Sequence, residues 1–184
     1  LGVASHLESW DVPAENIRTF DWWDDAEFAD SLKLTFAPTR HFSGRALTDK
    51  FATLWGSWVI EGKKQKMYFS GDSGYFPGFK EIGEKFGPFD LALVECGAYN
   101  EQDWPEIHML PEQSVQAALD VKAKVAMPIH WGKFNLALHP WKDPVERFMK
   151  MAANKELTTH TPVVGDVVSI PAERRNVRWW ESVR

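Results

Sequence analysis

The sequence predicts a mixed α/β layer protein in which one sheet is covered by helices on one face. Three observations carry this. The stretch SLKLTFAP alternates apolar and polar residues, and two further strand-like runs, TLWGSWVIEG and KMYFSGD, follow it around the polar turn EGKKQ. Two short apolar runs, DLALVEC and KVAMPIH, come later and read as buried strands. The segments between and after them repeat their apolar residues at helical spacing. The order is a meander of strands, then strand–helix–strand–helix–strand.

Each element has its local reason. The first 30 residues read as a helix or loop that runs into the acidic, tryptophan-bearing stretch FDWWDDAEFAD. Leu32, Leu34 and Phe36 give the period of two expected of a half-buried strand. In PGFKEIGEKFG, Phe79, Ile82 and Phe86 share a helix face, with Pro77 before it and Gly87 at its end. PEQSVQAALDVKA opens on a proline and places Val115, Ala118 and Leu119 on one face. Asp143 and Pro144 open the helix DPVERFMKMAANK. TPVVGDVVSI reads as a closing strand, followed by the charged tail ERRNVRWWESVR. No repeat, low-complexity run or linker divides the chain, so residues 1–184 are read as a single domain.

Composition excludes several classes. The 184 residues suffice for one core, and no apolar run approaches the roughly 20 residues of a membrane-spanning helix. The N-terminal residues lack the basic start and apolar middle of a signal peptide. The net charge of -5, with no basic block, argues against a nucleic-acid partner. One cysteine, Cys96, leaves no internal disulfide and fits a reducing compartment, so the expected location is cytoplasmic, with peripheral membrane contact left open. The 10 tryptophans read either as core filling or as an apolar surface for a lipid or partner.

Three groups that can bind a cation sit at strand ends. His41 follows SLKLTFAP, Asp72 follows KMYFS, and His130 follows KVAMPI. Loops at one edge of a sheet are where α/β proteins gather functional groups. Two imidazoles and a carboxylate are the ligand types of zinc or a similar divalent ion. Each also has a plain structural explanation: a strand-end histidine can be an ordinary polar residue, and Asp72 in GDSG can close an Asx-turn. His108, in a loop before a helix, is the next candidate. Cys96 ends a buried strand without a flanking base. His6, His139 and His160 join no constellation in the sequence, and no GxSxG elbow, P-loop or dinucleotide fingerprint occurs.

Taken in order, TFAPTRHFSGR, LWGSWVI, FSGDSGY, VECGAY, HMLPEQSVQAALDV and PIHWGKF resemble the C-terminal half of a metallo-β-lactamase-fold hydrolase. Within that superfamily the chain is most similar to the N-acylphosphatidylethanolamine-hydrolysing phospholipase D group and its RomA-like and UlaG-like bacterial relatives. The likeness runs from Trp22 to Ile170. The resemblance implies a four-layer αβ/βα sandwich of two similar halves, with a dinuclear metal site at the edge of the two sheets. It implies that His41 completes the first metal's ligands, that Asp72 bridges both metals, and that His130 binds the second. It places His108 in the pocket beside the substrate, so that Asp72 and His108 carry the catalytic roles. The implied cofactor is zinc, two ions in the intact protein, with other divalent metals as alternatives. The implied reaction is hydrolysis of a small-molecule or lipid phosphodiester, such as an N-acylphosphatidylethanolamine. A sugar-phosphate lactonase, a nuclease, or a non-catalytic interaction module are the alternative readings.

The family's leading signature, His-x-His-x-Asp-His, supplies further ligands, and this sequence contains no His-x-His. The expectation is therefore a chain holding only part of the ligand set. It would bind metal weakly alone, and would expose an apolar face for a missing N-terminal half or for a second copy.

Overall fold

Seven strands form one sheet in the order in which they occur along the chain. The computed structural model describes residues 1–28, 31–44, 46–134, 136–170 and 177–183. A short helix, α1 (Ala4–Glu8), and a single 3-10 turn (Ala14–Asn16) precede β1 (Asp25–Phe28), β2 (Leu32–Ala37), β3 (Ser57–Glu61) and β4 (Lys66–Phe69). These four strands pair antiparallel. Helix α2 (Gly78–Lys85) leads to β5 (Leu91–Glu95), α3 (Pro111–Asp120) to β6 (Val125–Ile129), and α4 (Asp143–Asn154) to β7 (Thr158–Thr159). From β4 to β7 the pairing is parallel. The predicted mixed sheet, hairpin and three helices are all present.

One row of side chains organises the core. Thr35, Val59, Tyr68, Ala92, Ala126 and Thr159 are partners across six strands, and all are buried. Tyr68 meets the ring of Phe79 on α2, so this row faces the helices. Helix α2 buries Phe79 and Ile82, α3 buries Val115 and Ala118, and α4 buries Val145 and Phe148. Helix α3 touches both α2 and α4, which places the three in one layer. The neighbouring row, Phe36, Trp58, Phe69, Leu93 and Met127, points to the opposite face. Phe36 is buried, Phe69 is exposed and the other three are half-buried. Among the described residues no helix is long and apolar enough to cross a membrane.

Two parts of the chain differ from the sequence expectation. The acidic stretch FDWWDDAEFAD contains an edge strand, β1, which hydropathy did not predict. Its carboxylates are tolerated because an edge strand keeps one side in water, and Asp25 pairs with Lys33 of β2. The closing strand is β7, not TPVVGDVVSI: residues 162–169 form no strand. Pro162 has no N–H to give to a ladder, Gly165 turns the chain at φ 98°, and Val164 and Val167 stand 88% and 94% exposed. The charged tail lies partly outside the described residues. Its tryptophans fold back, with Trp180 fully buried and its Nε1 donating to Glu146 Oε1 at 2.6 Å. Trp179 stacks on Trp131, beside His130. Most of the tryptophan excess is thus packing, although Trp10 remains 67% exposed.

Phe79 is sealed between Tyr68, Tyr75 and Phe76. Truncating such a ring leaves a cavity, so Phe79→Ala is expected to cost about 3–5 kcal/mol in urea-induced unfolding. Val164→Ala, on an exposed loop, is expected to stay within about 0.5 kcal/mol.

Candidate metal centre

Strand direction assembles the site. β2 runs parallel to β4 because each is antiparallel to β3, and β4, β5 and β6 are mutually parallel. The carboxyl ends of these four strands therefore finish at one edge of the sheet. His41 lies beyond the end of β2, Asp72 beyond β4, Glu95 at the end of β5, and His130 directly after β6. His108 enters from the loop between β5 and α3.

All four residues singled out in the sequence meet here. His130 Nε2 donates to Asp72 Oδ1 at 3.1 Å. The His108 ring stands edge-on to His41 and to His130, with centroids 5.1 and 5.3 Å apart. The candidate ligand atoms form two overlapping triads, His41–Asp72–His108 and Glu95–His108–His130, each with its atoms within 4.8 Å of one another. His108 thus sits at the centre of the cluster, and the Asp72–His130 contact joins the two triads.

Glu95 is the residue that the sequence reading missed. Its signal was present: a glutamate within the apolar run DLALVEC, where a charged residue needs a partner. It is fully buried, its Oε1 accepts the Met109 backbone N–H at 2.7 Å, and its Oε2 lies 3.1 Å from His108 Nδ1. His6 was also passed over, and it lines the adjoining cavity. His139 stacks on Tyr99, and His160 is buried and belongs to neither triad. Cys96 is fully buried, and burial, together with the nearby Glu95, pushes its thiol well up, as expected of an unreactive cysteine.

The backbone is shaped to hold these groups. His130 has φ 63°, the left-handed region that non-glycine residues rarely occupy. A Cβ on Gly97 would meet the His130 carbonyl oxygen at 2.0 Å, so only glycine lets the two loops approach. Gly71, at φ 57° next to Asp72, would carry a Cβ 2.6 Å from the Gly56 carbonyl oxygen.

The donor set fits a divalent cation. His41 Nδ1 lies 2.7 Å from the Phe42 carbonyl, which can only accept, so Nδ1 carries the proton and Nε2 bears the lone pair. That Nε2 is buried without a hydrogen-bond partner. An imidazole oriented through one nitrogen, with the other free, is the usual arrangement of a metal-ligating histidine. Burial lowers His41 and His108 from the ordinary histidine value, which keeps both neutral and able to ligate. Burial opposes ionisation of Asp72, but the hydrogen bond and charge of His130 hold its carboxyl below its ordinary value. The hydrogen bond to Asp72 in turn pushes His130 up to about 9. Glu95 moves the other way, because burial raises its carboxyl well above the carboxylate range.

A cavity of about 600 Å³ opens onto His41 and Asp72. Val3, Trp10, Phe42, Ala52 and Trp55 give it apolar walls, while His6, Ser43 and Asp49 supply polar groups.

The chain is similar to several known proteins. A family model described as "Beta-lactamase superfamily domain" matches residues 1–131. An uncharacterized protein of Mycobacterium tuberculosis is 45% identical over 183 residues, covering 98% of this chain and 48% of that protein. The N-acyl-phosphatidylethanolamine-hydrolyzing phospholipase D 1 of Caenorhabditis elegans is 32% identical over 142 residues, covering 73% of this chain and 40% of that protein. The chain spans about half the length of the curated relatives it matches. Among solved structures, Igni18, a metallo hydrolase of Ignicoccus hospitalis, aligns with TM-score 0.64 and 19% identity. That alignment covers 90% of this chain and 65% of Igni18.

The Asp72–His130 contact gives the metal-free chain a pH signature. The folded-state value of His130 is raised from 6.5 to about 9. Its contribution to stability is therefore full below pH 6.5 and is lost as pH rises through about 9. Asp72 is partly exposed, so the contribution is at most about 1 kcal/mol. Thermal unfolding of the metal-free chain should show a lower melting temperature at pH 9 than at pH 6.5. In His130→Gln this difference should shrink.

Proposed function

The chain belongs to the beta-lactamase superfamily, whose members include metal-dependent hydrolases, and from that premise we propose that it carries one side of the metal centre of a phosphodiester hydrolase. His41, Asp72 and His130 are the protein ligands on this reading. Asp72, placed between the His41 side and His130, is the carboxylate that two cations would share. The observation that carries the reading is the convergence of these groups at one sheet edge, with His41 Nε2 buried and left unpartnered. Zinc suits imidazole and carboxylate donors together. Bound there, it would act as a Lewis acid toward a phosphoryl oxygen and lower the pKa of coordinated water to about 7.

The chain's own residues do the remaining work. Asp72 would hold the metal when it is bound and accept a hydrogen bond from the attacking water. His108, at the centre of the cluster and 12% exposed in its side chain, is within reach of a phosphate oxygen or the leaving group. The apolar cavity beside His41 and Asp72 favours a substrate with a hydrocarbon part. Leu47, Phe51, Phe134, Leu136 and Leu138 are exposed on the loops that follow His41 and His130. Such side chains favour a lipid phosphodiester, cleaved in phospholipase D fashion at a membrane surface. The half-open row Phe36, Trp58, Phe69, Leu93 and Met127 favours packing against a further layer, from the rest of a longer protein or from a second copy.

Two zinc ions need more ligands than these three residues supply. Calorimetric titration of the 184-residue chain with zinc is expected to show weak binding that Asp72→Ala removes. Tight uptake of two ions per chain, or binding indifferent to Asp72→Ala, would contradict the assignment. In the whole protein, Asp72→Ala and His130→Ala are each expected to abolish release of phosphatidic acid from N-acylphosphatidylethanolamine vesicles.

A further inference from the structure

Glu95 is the acid in this centre that solvent does not reach. A buried carboxyl group is costly unless both of its oxygens are engaged. Here one accepts the Met109 N–H and the other meets His108 Nδ1, the Ser73 backbone also bonds the carboxyl, and the Glu95 N–H donates to Ser70 Oγ at 3.0 Å. The contact joins the end of β5 to the loop that presents His108. The imidazole has two distinct nitrogens, and which one faces the cluster depends on what the other one binds. A ring turned over about its χ2 angle would offer carbon to Glu95 and lose the contact at 3.1 Å.

We propose that Glu95 is a positioning residue: by engaging Nδ1 it fixes the ring orientation and tautomer of His108, so that Nε2 is the nitrogen presented to His41, Asp72 and a substrate. The assignment deepens the reading of His108 as the pocket histidine and rests on it for its purpose. It does not rest on catalysis for its test.

That test is a long-range ¹H–¹⁵N correlation spectrum of the histidine rings in the 184-residue chain and two variants. Wild-type His108 should show one protonated and one unprotonated ring nitrogen, whereas exposed His6 should show tautomer-averaged shifts. In Glu95→Gln the amide oxygen must accept the Met109 N–H, which can only donate. The amide nitrogen then faces His108 Nδ1, so the ring proton must lie on Nε2. In Glu95→Ala the His108 shifts should drift to the averaged pattern of His6. Averaged His108 shifts in the wild type, a proton on Nδ1 in Glu95→Gln, or an unchanged ring in Glu95→Ala would each overturn the proposal. If Glu95→Ala does not fold, the wild-type and glutamine spectra decide alone. A pinned His108 in a protein that hydrolyses no phosphodiester would count against the hydrolase reading only.

Discussion

The buried row Thr35–Val59–Tyr68–Ala92–Ala126–Thr159 sets the rest of the structure. Side chains on a strand alternate faces, so a slip of one residue in any strand would turn that part of the row away from the helices. Burial of a large apolar side chain is worth about 1.5–3 kcal/mol, so a slip that exposed Val59 would be resisted strongly. With register fixed, the carboxyl ends of β2, β4, β5 and β6 have no freedom relative to one another. His41, Asp72, Glu95 and His130 follow within a few residues of those ends. The centre is thus a consequence of the core, with Glu95 on β5 itself and His41, Asp72 and His130 on the loops just beyond their strands.

Much of this was legible in the sequence, because period and local turn chemistry are short-range signals. The hairpin around EGKKQ, the helices opened by Pro77, Pro111 and Pro144, and the buried strands DLALVEC and KVAMPIH all formed as read. The failures have physical causes. β1 is acidic and sits at a sheet edge, where water rather than hydropathy decides what is tolerated. TPVVGDVVSI has strand composition, but Pro162 and Gly165 deny it a ladder, and two threonines before it take the place. Glu95 escaped because its partners, Met109 and His108, become neighbours only when the β5–α3 loop folds back. The spacings of His41, Asp72 and His130 defined no motif by themselves. Strand direction is what made them a cluster.

The polar groups of the cluster largely satisfy one another. Asp72 and His130 satisfy each other, Glu95 and His108 do the same, and His41 is oriented through Phe42 with its second nitrogen left over. A divalent ion would replace the proton between Asp72 and His130 and occupy the lone pair of His41. Metal uptake should therefore release protons, as expected when ligands must be deprotonated to bind. The left-handed backbone of His130 is strained, while glycines at 71 and 97 give the close approach that a Cβ would block.

Anomalous X-ray scattering from crystals soaked in excess zinc tests the assignment most directly. A peak is predicted within about 2.0–2.2 Å of His41 Nε2 and an Asp72 oxygen, with His130 released from its contact with Asp72. Zinc bound only elsewhere, for example at His139, or an Asp72–His130 pair that stays closed at saturating metal, would contradict it.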